Sequence, residues 1–178
     1  MLKIAVIVGS LRTGSINKIF AKNLESLAPD NVEFTYPNIN LPIFNQDLEL
    51  ESIVEVLDLK KSIEEADGIL IITPEYNRSF PGVLKNAIDW ASRPWGQNSF
   101  TGKPTSIIGA SVGQTGTAQA QFQLRNVMLY LDTKLMGQPE LYIQYDKTFD
   151  EAGQVLESSK AFLQKYIETF VEYVTLNK

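Results

Sequence analysis

The sequence of 178 residues contains no cysteine and no histidine. These absences exclude thiol nucleophiles, Cys-X-X-Cys redox pairs, Ser-His-Asp triads and any zinc, iron or copper site built on thiolate or imidazole. Carboxylate-bound Mg²⁺ or Ca²⁺ passes this filter, but no residue pattern marks a metal site and none is expected. Redox chemistry in such a chain has to be carried by a bound organic cofactor. Lys and Arg do not cluster, and the net charge is -5, so no nucleic-acid-binding surface is expected. No apolar run is long enough to span a bilayer, and the chain enters a strand-like run, Lys3 to Val8, without a signal peptide's cleavage region. With no sign of an oxidising compartment, a cytoplasmic protein without membrane association is expected.

The composition, 44% hydrophobic and 21% charged, is that of a globular protein, and the length suits one domain over 1–178. Ile4 to Val8 is a continuous apolar run without alternation, the mark of a strand buried on both faces of a parallel sheet; Gly68 to Thr73 gives the strongest buried-strand signal, and Thr105 to Ala110 reads as another strand. Val32 to Tyr36 reads as a further strand, closed by Pro37, and Leu141 to Ile143 as a short last one. Helical patterns fill the intervals. One begins at Ser15, a suitable N-cap, with Ile16, Ile19, Phe20, Leu24 and Leu27 on one stripe. Ile53 to Glu65 follows, with Val54, Leu57 and Ile63 as core contacts. Pro81 opens a helix to about Ala91. Ala118 to Leu131 is a helix with Phe122 and Leu129 toward the sheet, and Gln154 to Val174 a closing amphipathic helix that includes Phe162, Tyr166 and Phe170. The stretch Asn38 to Glu51 reads as surface coil.

This alternation predicts an α/β fold: a doubly wound, five-stranded parallel sheet of order 2-1-3-4-5, helices on both faces, with the ligand outside the carboxyl ends of the strands. Three loops should then line one site. Gly9 to Asn17 combines glycines, neutral donors and Arg12 with a helix N-terminus, a combination that cradles phosphate. Ser15 and Ile16 stand where a Walker A loop needs Lys and a hydroxyl, and Leu11 breaks the dinucleotide fingerprint, so a monophosphate fits best. Alone, the segment reads equally well as a polar turn with an ordinary cap. Pro74 to Gly82 offers an aromatic, Tyr76, and turn amides to a flat heteroaromatic ring; the bland alternative is a polar turn with Tyr76 packed down as a lid. Ala110 to Gly116 is small enough for backbone to approach a ring edge. Arg78 and Arg93 read as solvated charges, or as partners for a 2′-phosphate.

On Gly9-Ser10-Leu11-Arg12 with Ser15 and Asn17, on Pro74-Glu75-Tyr76-Asn77, and on Pro81-Gly82 through Leu84 to Trp90, the chain resembles the NAD(P)H-dependent FMN reductase family with its quinone and chromate reductases. The resemblance implies a flavodoxin-like fold holding FMN, its phosphate at Ser10, Arg12, Ser15, Ile16 and Asn17. The ring would lie against Pro74, Glu75, Tyr76 and Asn77, with Ser111 and Gly113 closing the site. It also implies NADPH or NADH as co-substrate, and a ping-pong cycle to a small-molecule acceptor such as a quinone, azo compound, chromate or free flavin. A homodimer or homotetramer is implied, with the helix from Pro81 to Trp90 near a subunit contact. No side chain is assigned a catalytic role, because the flavin carries the chemistry. The competing readings are a flavodoxin-type electron carrier and a nucleotide-sensing module without catalysis.

Overall fold

The computed structural model describes residues 1–48 and 50–178, the side chain of Glu51 excepted; Glu49, within the irregular stretch, lies outside the described residues. Strands β1 (Leu2–Val8), β3 (Gly68–Ile72) and β4 (Pro104–Ser111) form the centre of a parallel sheet, with β2 (Val32–Thr35) beside β1. β5 (Lys134–Leu135) follows β4, giving the order β2-β1-β3-β4-β5. The order read from the sequence holds, but its fifth place is shared. Lys134 pairs with Pro104 at the start of β4, whereas β6 (Tyr142–Gln144) pairs in parallel with Gly109 to Ser111 at the end of the same strand.

Every residue of β3 is buried, which explains its unbroken apolar run: helices cover both of its faces. Helices α1 (Ile16–Leu27) and α6 (Glu157–Asn177) pack Phe20, Leu24, Tyr166 and Phe170 against Ile4, Val6, Leu70 and Ile72. On the opposite face, α2 (Val54–Glu64), α3 (Gly82–Ala91) and α4 (Ala118–Tyr130) pack Leu59, Ile63, Leu84, Ile88, Leu124 and Met128 against Ile69, Ile71 and Ile107. Each fully buried Ile or Leu contributes about 1.5–3 kcal/mol. A four-residue helical turn, α5 (Tyr145–Thr148), continues from β6.

Three helix faces differ from the sequence reading. In α2, Ile63 is buried as expected, but Val54 is 63% exposed and Leu57 is exposed, while Val56 and Leu59 face inward. The inward face is turned by Lys60, whose buried ammonium donates to Ala91 O (3.2 Å), Gln97 O (2.9 Å) and Ser99 Oγ (2.8 Å). In α4, Phe122 and Leu129 lie outside, and Ala120, Gln121, Leu124 and Met128 meet the sheet. In α6, Leu163 rather than Phe162 is buried.

The segment after β2 is no loose coil. The Phe44 N–H donates to Asn86 Oδ1 (2.7 Å), Asn86 Nδ2 donates to Pro42 O (2.9 Å), and the Trp90 indole donates to the same carbonyl (2.8 Å). Phe44 meets the Trp90 ring edge-on at 4.9 Å. The segment is a strap across α3, and it accounts for the complete burial of Trp90, whose N–H needs a partner.

Candidate active site

The first turn leaves β1 at Gly9, whose N–H donates to Ile72 O (2.9 Å), and Ser10 folds back onto Val8 O (2.7 Å). Ser15 caps α1 as its position suggested: its backbone is extended (φ -71°, ψ 121°) and its hydroxyl accepts from the Lys18 N–H at 3.4 Å. The next two N–H groups, of Ile16 and Asn17, have no acceptor among the described residues. Such unpaired amides at the positive end of a helix dipole form an anion seat. Ser10 is buried and its Oγ accepts from the Arg12 N–H (3.3 Å). The Arg12 side chain, which is exposed, forms no ion pair among the described residues.

Asn17 has a different task from the one its sequence position suggests. Its buried side chain donates to Ala110 O and accepts from Ala110 N, both at 2.9 Å. The amide therefore bolts the start of α1 to the end of β4, and only the Asn17 backbone N–H is left for an anion.

The second loop is equally committed. Glu75 Oε2 accepts from the N–H groups of Gln119 (3.0 Å) and Ala120 (3.1 Å), while Oε1 pairs with Arg78 at 3.2 Å. The carboxylate thus supplies the cap that Thr117 does not give α4, and its charge is matched by Arg78 and the helix N-terminus. Tyr76 and Ser79 exchange backbone hydrogen bonds (2.9 and 3.0 Å) around Asn77 (φ 51°) and Arg78 (φ 65°). Two left-handed central residues make this a type I′ turn, built here without glycine and therefore strained. Gln123 of α4 braces it, accepting from Ser79 Oγ (2.7 Å) and donating to Arg78 O (2.8 Å). Tyr76 stays 53% exposed and is no lid over the core.

In the third loop, Ser111 Oγ donates to Gly116 O (2.6 Å) and accepts from the Gly113 N–H (3.2 Å), closing the loop on itself. Its approach to β3 depends on Gly109, where a β-carbon would collide with the Thr73 carbonyl oxygen and the Thr117 hydroxyl.

These loops enclose one cleft of about 210 Å³. Ser10, Arg12, Ser15, Ile16 and Asn17 line it from the first turn, Pro74, Glu75 and Tyr76 from the second, and Ser111 from the third. Asn77, at the exposed tip of its turn, and Gly113 do not line it. Ala110 and Val112 do; the sequence reading placed their loop, Ala110 to Gly116, at the site but singled out only Ser111 and Gly113 within it. FMN fits this set. Two unpaired amides, two hydroxyls and an unmatched guanidinium suit a phosphate dianion. The aromatic and apolar surfaces of Tyr76 and Val112 suit a ring, and the one lining carboxylate, Glu75, is occupied elsewhere.

The chain is similar to known flavin-dependent reductases. The model of the family described as NADPH-dependent FMN reductase matches residues 2–148. A 2-hydroxy-1,4-benzoquinone reductase of a Burkholderia species is 51% identical over 176 residues, covering 97% of this chain and 96% of that protein. A quinone reductase of Pseudomonas putida is 39% identical over 178 residues, covering 98% and 96%. Among solved structures, the flavoenzyme NAD(P)H:(acceptor) oxidoreductase FerB of Paracoccus denitrificans superposes with a TM-score of 0.93 at 45% identity, covering 99% of each chain.

Proposed function

Because the chain belongs to the NADPH-dependent FMN reductase family, it is an FMN-dependent NAD(P)H oxidoreductase, and we propose that it reduces a quinone at the cleft formed by the three loops. Two relatives carry quinone reductase names, which favours a quinone over azo, chromate or free-flavin acceptors. The observation that carries the site assignment is the pair of unpaired N–H groups at Ile16 and Asn17, set beside Arg12 and the hydroxyls of Ser10 and Ser15.

When bound, FMN supplies the two-electron chemistry, taking reducing equivalents from NAD(P)H and passing them to the acceptor. The chain's own residues hold and orient. Ile16 and Asn17 N–H, Ser10, Ser15 and Arg12 hold the phosphate end. Pro74 to Tyr76 and the end of β4, which line the rest of the cleft, would hold the ring. Glu75 and Gln123 keep the Tyr76 turn in its strained form. No protein side chain is needed for proton transfer, and the Glu75 carboxylate is bound to α4.

The protein works as a homodimer or homotetramer joined through the outer face of α4. There Phe122 (74% exposed), Leu129 (62%) and Tyr130 (76%) stand among Gln119, Gln123 and Asn126. Arg125, the only charge of α4, turns inward to donate to Met136 O (3.1 Å). The face is uncharged, with three large exposed apolar or aromatic side chains among neutral amides, a composition that suits a subunit contact. α3 is less suited, because the strap covers part of it and Lys85 pairs with Asp89 at 2.8 Å on its exposed side. Phe122→Asp should shift the mass seen in sedimentation toward the monomer. No helix among the described residues is long and apolar enough to cross a membrane, and the proposed place of action is the cytoplasm, where NAD(P)H is available.

The test of function is a visible spectrum of the purified protein, followed by anaerobic NADPH and then 1,4-benzoquinone. Loss of the flavin bands with NADPH and their return with quinone is expected. Bands that NADPH leaves unchanged would point instead to an electron carrier, and a protein that stays colourless after incubation with FMN would remove the assignment. Arg12→Ala should weaken FMN binding by about tenfold or more, as for a lost charge-assisted hydrogen bond.

A further inference from the structure

A second cleft, of about 330 Å³, opens between the start of α1 and the end of β2, within the size of small-molecule sites, roughly 300–1,000 Å³. Its floor is apolar: Val6, Val8, Leu11 and Ile39. Ser10 lines this cleft and the flavin cleft alike, so the two meet at the phosphate seat and not at the ring. Residues 11–14, between them, are all exposed, and the turn is open on that side.

Two lysines of α1, Lys18 and Lys22, line the second cleft. Lys22 pairs with Glu25 at 2.7 Å and lies 4.0 Å from the centre of the Tyr36 ring, whose hydroxyl donates to the same carboxylate at 2.9 Å. Desolvation, reinforced by Glu25, holds the Tyr36 phenol above its ordinary range, so that wall stays protonated. Lys18, one turn earlier on α1, forms no ion pair among the described residues. Asn38 spends its carbonyl oxygen on the Asn40 N–H (2.9 Å), and its amide nitrogen donates to no acceptor among the described residues. An apolar floor, an uncommitted ammonium and this amide, adjoining a phosphate seat, match the adenylate portion of a dinucleotide.

We propose that this cleft receives the adenylate half of FAD, so that the protein binds FAD as well as FMN. The inference rests on reading the first turn as the flavin phosphate seat. The phosphate common to both flavins occupies the amides of Ile16 and Asn17. The second phosphate of FAD leaves past Ser10 toward Lys18, and the purine covers Val8 and Ile39 within reach of Asn38.

The experiment is a pair of fluorescence-quenching titrations of the flavin-free full chain, one with FMN and one with FAD, on wild type, Lys18→Ala and Asn38→Leu. Both substituted side chains are exposed, so folding is not at risk. Wild type should bind the two flavins with Kd values within about tenfold of each other, and Lys18→Ala should weaken FAD by about five- to tenfold while leaving FMN within about twofold. Asn38→Leu should likewise act on FAD alone. FAD binding more than about a hundredfold weaker than FMN, or an equal loss for both flavins in Lys18→Ala, overturns the proposal while the phosphate seat stands. If neither flavin binds wild type, the reading of the seat fails, and this proposal with it.

Discussion

Asn17 and Ala110, 93 residues apart in the chain, exchange two hydrogen bonds of 2.9 Å, so that one buried side chain satisfies both backbone groups at the end of β4. Asn17→Ala leaves the Ala110 N–H and C=O buried and unpaired, at about 1–3 kcal/mol each. The flavin-free variant should therefore lose about 3 kcal/mol in urea denaturation. A residue whose task was only to touch the phosphate would show its loss solely in the presence of FMN.

Glu75 joins the ring loop to the first turn of α4. Glu75→Gln keeps an acceptor but removes the charge from the helix N-terminus, and stability should fall by about 1 kcal/mol. The pH profile of kcat should keep its shape. A lost limb between pH 5 and 9 would give Glu75 a proton-transfer role that its bonding to α4 argues against.

Gly109→Ala places a methyl group where the Thr73 carbonyl oxygen and the Thr117 hydroxyl already stand. Both neighbours are buried and one is backbone, so neither can retreat cheaply. A loss of about 2–3 kcal/mol in thermal or chemical unfolding is expected. Gly14→Ala, which meets nothing within 4 Å, serves as the control.

Asp67 contributes to the pH dependence of stability on the acid side. The Lys3 N–H at 2.9 Å holds its carboxyl below the usual range; partial desolvation opposes this, and Lys178 (3.3 Å) and Lys103 add to it. A carboxyl depressed in the folded state stabilises above its unfolded pKa, about 3.9, and that contribution disappears as pH falls through the lower folded value. Asp67→Asn should therefore flatten the fall in urea midpoint between pH 5 and pH 2, with the variants converging at the acid end. A parallel offset at every pH would contradict this.

The sequence displayed the centre of the fold because β1 and β3 are buried on both faces and leave unbroken apolar runs at Ile4 to Val8 and Gly68 to Ile72, with β4 legible beside them from Ile107 and Ile108. It did not display β5, since a two-residue strand has no period to read. Helix faces failed where chemistry ran against type. Lys60 points inward on three acceptors, turning α2 so that Val54 and Leu57 face out. α4 keeps large apolar residues on both sides, so size did not mark the face toward the sheet. The turn after β1 and its Ser15 cap were legible because their signal is local: glycine, hydroxyls and an N-cap in one run of chain. The tasks of Asn17 and Glu75 were not, because their partners lie 93 and 44 residues away.

The shared fifth position of the sheet has a consequence for solubility. β4 gives its first half to Lys134–Leu135 and its second to Tyr142–Gln144, and the chain swings away between them. A stranger's strand arriving at this border finds two- and three-residue ledges instead of a continuous ladder, too short to template cross-β growth. A deletion that fused the two ledges into one straight strand would present such a ladder, and would convert a self-limiting border into a seed for aggregation.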